Sequence, residues 1–325
     1  MNRTMSLAAT VTAGILATSP ALAQEKWDLP AAYPASNFHS ETLVDFAECV
    51  RSDTDGAIDI TVHPNGSLFA GAEIKRAVQT GQVPIGERLL SGNQNENAIY
   101  GFDSIPFLVS SFDEHAKLWE AAKPAMKKVL EQDNLKLIYS LPWPPQGLYF
   151  RDEVKTMEDM EGVKFRSYNV ATSRIAELTG MRPVQIEAAE IAQAFATGVA
   201  DAMVTSGATG YEMKSWESLN YFYTVDAWLP RNYTLVNADA WDGLDEATQT
   251  AVLECGVKAE EVGNERARDY TQFTIDGLKE NKMTVGPATE EVMEGLREIG
   301  EKMAGEWAET AGEDGRAILD AYRAN

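Results

Sequence analysis

The sequence predicts an α/β protein of two lobes braced by long helices, and three observations carry that prediction. Strand-like runs alternate with helical stretches as far as Asn237; no internal repeat, low-complexity tract or flexible linker divides them; and beyond Asn237 the helices are longer than one small sheet needs for cover. Strands alternating with helices of this kind imply parallel sheets sandwiched by helices. A chain of 325 residues that is 44% hydrophobic can bury one large core or two ordinary ones.

Each element has its own warrant. The strands fall at Trp27 to Ala32, Ile58 to His63, Val83 to Leu90, Leu135 to Leu141, Leu148 to Phe150, Gly162 to Arg166, Arg182 to Gln185, Ala202 to Thr205, Tyr221 to Val225 and Tyr233 to Asn237. Helices lie between them at His39 to Thr54, Ala72 to Thr80, Asp113 to Gln132, Ala171 to Thr179, Ala188 to Ala196 and Gly210 to Trp216. Gly180 and Gly198 follow two of these helices and suit left-handed caps. Pro64-Asn65-Gly66 and Phe69-Ala70-Gly71 punctuate a strand-to-helix connection. Val252, Cys255, Ala259 and Val262 share a helical face, so Asp245 to about Lys282 reads as one long helix, followed by a last helix from about Thr289 to Tyr322.

The first residues, MNRTMSLAATVTAGILATSPALAQ, carry one cation, an apolar run and a small-x-small ending at Ala21-Leu22-Ala23. That is the pattern of an export signal cleaved near Ala23, and its apolar part is too short to span a bilayer. With 28 basic and 50 acidic residues the formal net charge is −22, which repels nucleic acid and anionic lipid. An anionic ligand therefore needs a locally positive pocket. Cys49 and Cys255 either pair as a disulfide in an oxidising compartment or stay buried and free.

Catalytic signatures are sparse. His39, His63 and His115 are far apart in sequence and show no metal-ligand spacing; there is no HExxH, CxxC, GxSxG, Walker loop or GxGxxG. Val204-Thr205-Ser206-Gly207 follows a strand as a nucleophile elbow does but lacks the glycine two residues before the serine. In the run GVKFRSYNVA, Val163 and Phe165 alternate with Lys164 and Arg166, so a guanidinium stands where the strand stops. Arg166 is either a solvated strand end or a charge at the mouth of a cleft, since ligands of parallel sheets bind beyond the carboxyl ends of the strands. Aromatic residues crowd the same region, mostly as core.

With those residues in view, the chain resembles the periplasmic solute-binding subunits of TRAP transporters, the DctP-type family. The resemblance is carried by His63-Pro64-Asn65-Gly66-Ser67-Leu68, Glu73-Ile74-Lys75, Val78-Gln79-Thr80-Gly81 and Ile105-Pro106-Phe107-Leu108. It continues through Met160-Glu161-Gly162-Val163-Lys164-Phe165-Arg166, the run Glu190 to Asp201, and Leu235-Val236-Asn237. It implies a two-lobed periplasmic binding protein fold, each lobe a mixed, mostly parallel sheet, closing around a small organic acid that is handed to membrane permease subunits. The expected divisions are a signal at 1–23, lobe I at 24–145 with parts of the C-terminal region returning to it, lobe II at 146–236, and hinge-spanning and C-terminal helices at 237–325.

In that family the arginine matching Arg166 pairs with the ligand carboxylate, whose two oxygens fit a guanidinium fork. Thr205, Ser206 and Asn169 are then the expected hydrogen-bond partners. An asparagine common a few residues beyond the aspartate matching Asp201 is missing, so Thr205 or Ser206 takes its place. Tyr149, Tyr168 and Tyr211 are expected against an apolar or aromatic ligand body, with Phe38, His39 and Asn93 contributing from the first lobe. Neither a metal nor a cofactor is expected, and no catalytic residue, no nucleic-acid partner and no membrane insertion. The rival readings are an exported lyase or hydrolase on the same scaffold, with His39 as its base, and a sensor subunit that presents its ligand to a receptor.

Overall fold

The computed structural model of the protein describes residues 24–324; the export signal expected at 1–23 lies outside them. The chain opens with β1 (Glu25–Pro30), α1 (Phe38–Asp53), β2 (Ile58–His63), α2 (Ile74–Gln79), β3 (Ile85–Leu89), α3 (Phe112–Gln132) and β4 (Leu135–Pro142). It then crosses into β5 (Gln146–Phe150), β6 (Lys164–Ser167), α4 (Val170–Leu178), β7 (Arg182–Gln185), α5 (Ile191–Ala196), β8 (Ala202–Ser206), α6 (Gly207–Glu212) and β9 (Tyr221–Tyr223). It ends with β10 (Arg231–Asn237), α7 (Ala238–Asp242), α8 (Glu246–Glu280), β11 (Thr284–Gly286) and α9 (Glu290–Ala324).

These strands form two lobes. The first holds the parallel pair β1–β2 and a three-stranded sheet in the order β3–β10–β4; the second is a six-stranded sheet in the order β11–β9–β5–β8–β6–β7. Both neighbours of β10 run antiparallel to it. This strand returns from the second lobe to the first, so the division expected at residue 236 sets β10 in the wrong lobe. In the second lobe β6 runs parallel to β7 and β8, while β5 is antiparallel to β8 and β9. The carboxyl ends of β6, β7 and β8 therefore open on one edge, where ligands of such sheets bind.

Local chemistry explains the element ends. Gly180 and Gly198 close their helices with φ of 76° and 70°, the left-handed conformation that a residue without Cβ adopts without steric cost. The helix expected over Gly210 to Trp216 starts earlier, at Gly207, where the Ser206 hydroxyl caps it, and is broken by Lys214 in a left-handed conformation. The last helix is likewise interrupted at Gly312 (φ 64°, ψ −137°).

The long helices tie the lobes together. α8 packs on α1 and β4 in the first lobe and on α6 in the second, while α9 packs on α3 and α4. Cys49 on α1 and Cys255 on α8 are joined by a disulfide, their Cα atoms 5.8 Å apart. Arg174 on α4 makes a forked contact with Glu306 on α9, at 3.0 and 2.8 Å. Among the described residues no helix is long and apolar enough to cross a membrane.

Candidate functional site

A small cavity lies between the lobes, lined by residues of both. From the second lobe Arg166 enters it at the end of β6 with Thr205 at the end of β8. β6 carries Phe165 into the core and turns its neighbour Arg166 to the opposite face, as the two-residue period of a strand requires. The side chain is 4% exposed. Arg166 Nε donates to the Ile186 carbonyl at 2.9 Å, and the guanidinium carbon lies 4.9 Å from the centre of the Tyr168 ring. These contacts fix the plane of the fork and leave its terminal nitrogens uncommitted among the described residues. Burial draws the pKa of Arg166 down, opposed by Tyr168, Glu187 and Tyr33. A buried cation without a carboxylate partner carries a desolvation cost that an anion entering the cavity offsets.

The facing wall comes from β3, and sequence reasoning overlooked it. All five residues of Ile85–Leu89 are buried, yet two of them, Glu87 and Arg88, are charged. Adjacent residues on a strand point to opposite faces, so the two charges do different work. Arg88 lines the cavity, and its Nη1 lies 3.4 Å from Glu187 Oε2 across the cleft. Glu87 turns away, accepts from Asn232 Nδ2 and sits 3.6 Å from His39 Nδ1; burial raises its pKa to about 7. Two consecutive charges inside an otherwise apolar strand are the signal that marked this site.

Two glycines make room for the cross-lobe pair. A Cβ at Gly92 would lie 2.7 Å from Arg88 Nη2, and one at Gly71 would lie 2.9 Å from Glu187 Oε2. The aromatic wall is Tyr33 against the edge of Trp143, ring centres 4.7 Å apart. Tyr168 donates through its hydroxyl to Gln146 Oε1 at 3.2 Å, and both side chains face the cavity.

Of the residues expected at the site, Arg166, Tyr168 and Thr205 line the cavity and the others lie outside its wall. Ser206 is fully buried; its hydroxyl caps α6 and its carbonyl accepts from the Tyr149 hydroxyl. Asn169 caps α4, and its Nδ2 reaches Ser91 and Ser104 of the first lobe at 3.0 and 3.3 Å, so it joins the lobes outside the cavity wall. Tyr149 is stacked on Phe222 in the core. Tyr211 packs against Trp216, Phe273 and Gly277 on the outer side of α6. Phe38 lies behind Trp143, 5.5 Å between ring centres. His39 is also behind that ring, and burial holds its pKa well below the usual value, aided by Arg231. It is a neutral core imidazole, without the access a catalytic base requires. Asn93 donates to Glu96 at 2.7 Å, away from the cavity.

The cavity thus presents two guanidinium groups, one carboxylate, hydroxyl and amide groups and an aromatic wall. Its formal charge is positive by one, within a chain of net charge −22.

The family model described as bacterial extracellular solute-binding protein, family 7, matches residues 31–310. A marine metagenome TRAP solute-binding protein specific for pyroglutamate, determined with co-purified pyroglutamate, is 46% identical with a TM-score of 0.92, over 93% of this chain and 99% of its own. An extracytoplasmic solute receptor of Bordetella pertussis that binds pyroglutamic acid is 44% identical with a TM-score of 0.91, over 93% of this chain and 100% of its own. A monocarboxylate 2-oxoacid-binding periplasmic protein of Nostoc is 25% identical over 245 residues, 71% of this chain and 66% of its own length.

Proposed function

This chain belongs to family 7 of the bacterial extracellular solute-binding proteins, the DctP family, and from that premise we propose that it captures pyroglutamate or a close cyclic monocarboxylate in the periplasm for a TRAP permease. The observation that carries the ligand class is the pair Arg166 and Arg88 set against the single acid Glu187. One excess positive charge matches one carboxylate. Arg166 offers the planar pair of donors that two carboxylate oxygens accept, and Tyr33 and Trp143 supply an aromatic wall for an apolar ring. The similarity to two pyroglutamate-binding structures, at 46% and 44% identity, supports the same ligand.

Binding shifts an open ensemble towards the closed one, with the hinge in the segments that cross between the lobes. On this reading the ligand leaves chemically unchanged; His39, the base of the rival lyase or hydrolase reading, is buried and does not line the cavity. Isothermal titration of the mature protein with pyroglutamate, lactate and succinate tests the reading. Pyroglutamate is expected to bind most tightly and to be recovered intact from the complex; tighter binding of succinate, or turnover of the bound acid, contradicts it.

A further inference from the structure

We propose that Glu187 is the specificity-determining residue of the cleft: it accepts the ligand's N–H and turns away a second carboxylate. The inference rests on the ligand reading above and adds to it the acceptor that the ligand must satisfy. Arg88 and Arg166 can only donate hydrogen bonds, whereas an ionised carboxylate can only accept. Among the charged side chains lining the cavity, Glu187 is the one acceptor.

Its position is fixed from several directions. Its backbone N–H donates to Glu190 Oε2 at 3.4 Å and its carbonyl accepts from the Glu190 N–H at 3.1 Å, while its Oε2 lies 3.4 Å from Arg88 Nη1 across the cleft. Gly71 closes behind it, leaving no space for even a methyl group between Gly71 and Oε2. The carboxylate, 28% exposed and with Arg88 as its one hydrogen-bond partner among the described residues, keeps lone pairs for the cavity. Arg166 stands on the same lobe, at the end of β6, the strand beside β7 that leads into Glu187. Arg166 Nε also donates to the carbonyl of Ile186, the residue before Glu187, so a ligand whose carboxylate sits on Arg166 presents the ring atoms next to that carboxylate to Glu187.

The chemistry of those adjoining ring atoms decides affinity. A lactam N–H gives Glu187 a charge-assisted hydrogen bond. A ring oxygen in the same place sets lone pairs against lone pairs, and a second carboxylate sets charge against charge. Sites built to pair with a substrate N–H or O–H discriminate strongly against analogues without it, because the buried polar group is left unpaired.

The test uses calorimetric titration of the full mature protein with three probes: pyroglutamate, its lactone counterpart in which a ring oxygen replaces the N–H, and glutarate. Wild-type protein is expected to prefer the lactam to the lactone by about tenfold or more, and to reject glutarate more strongly still. Glu187→Gln, which can turn its amide to meet either ring, is expected to bring the lactam-to-lactone ratio to within about threefold of one and to narrow the gap to glutarate. A general weakening from a displaced Arg88 lowers all the affinities and leaves the ratios alone, so the ratios are the readout. Equal binding of lactam and lactone by wild-type protein overturns the inference without any variant. Unchanged ratios in Glu187→Gln overturn it while leaving the ligand reading intact. Wild-type protein that binds none of the three removes the ligand reading, and this inference with it.

Discussion

Asn37 Nδ2 donates to both carboxylate oxygens of Glu212, at 3.0 and 2.9 Å, and so ties the start of α1 in the first lobe to the end of α6 in the second. The Asn37 side-chain oxygen meanwhile caps α1 by accepting from His39 N, and the Tyr270 hydroxyl of α8 reaches Glu212 at 3.3 Å. With the Asn169 contacts to Ser91 and Ser104, this makes two polar ties between the lobes outside the cavity wall. Closure is therefore held by protein groups as well as by ligand.

The Glu212 tie makes stability depend on pH. Burial pushes its carboxyl up to about 7 from 4.5, against the lowering by Asn37 and Tyr270, with Glu41 raising it further. Between these values the folded state retains a proton that the unfolded state has released. The favourable contribution is thus fully present below about pH 4.5 and is lost as pH rises towards 7. Glu212 keeps some access to solvent, so the loss is on the order of 1–2 kcal/mol, less than the full shift implies. Glu212→Gln removes this titration. Urea midpoints measured from pH 5 to 7.5 are expected to show the variant gaining on wild type as pH rises, and parallel curves would contradict the assignment. Glu87 and Asp103, both raised to about 7 by burial, slope the same way in both proteins, while buried His39 and His115 slope oppositely below 6.5, so the difference between the curves isolates Glu212.

Asn169→Ser separates capping from closure. Serine still caps α4, so thermal stability is expected to stay within about 1 kcal/mol of wild type. It is too short to reach Ser91 and Ser104, so the closed population falls and apparent affinity drops severalfold. Small-angle scattering of the ligand-free variant should show a larger radius of gyration than wild type. An unchanged radius together with unchanged affinity would remove Asn169 from the account of closure.

The disulfide between Cys49 and Cys255 spans 206 residues and staples α1 to α8 within the first lobe's core. Constraining so long a loop in the unfolded chain is worth about 2–5 kcal/mol. The double variant Cys49→Ser, Cys255→Ser is expected to unfold at lower urea concentration by that amount while binding ligand normally once folded. Loss of less than about 0.5 kcal/mol would show that the bond adds nothing the packing does not already supply.

Much of this was legible in the sequence, for reasons that differ from residue to residue. Helix and strand positions follow from periodicity, and Arg166 stood out because a charge ends an apolar strand. The pairing of Cys49 with Cys255 was open because it depends on helices 206 residues apart in sequence meeting in space. Tyr149 and Tyr211 lie near Arg166 in the chain, but the pleat of β5 and the outward face of α6 direct them elsewhere. Arg88 and Glu187 escaped notice because each acquires its role only when the lobes meet. β10 reads as another strand of the second lobe until its pairing with β3 and β4 is known.

The central claim is that Arg166 anchors a carboxylate in the closed cleft, and titration of Arg166→Ala with pyroglutamate beside wild type tests it most directly. Removing a buried partner of an ion pair costs about 2–5 kcal/mol, so the variant is expected to bind at least about thirtyfold more weakly while its melting temperature stays close to that of wild type. Affinity within about twofold of wild type would contradict the account.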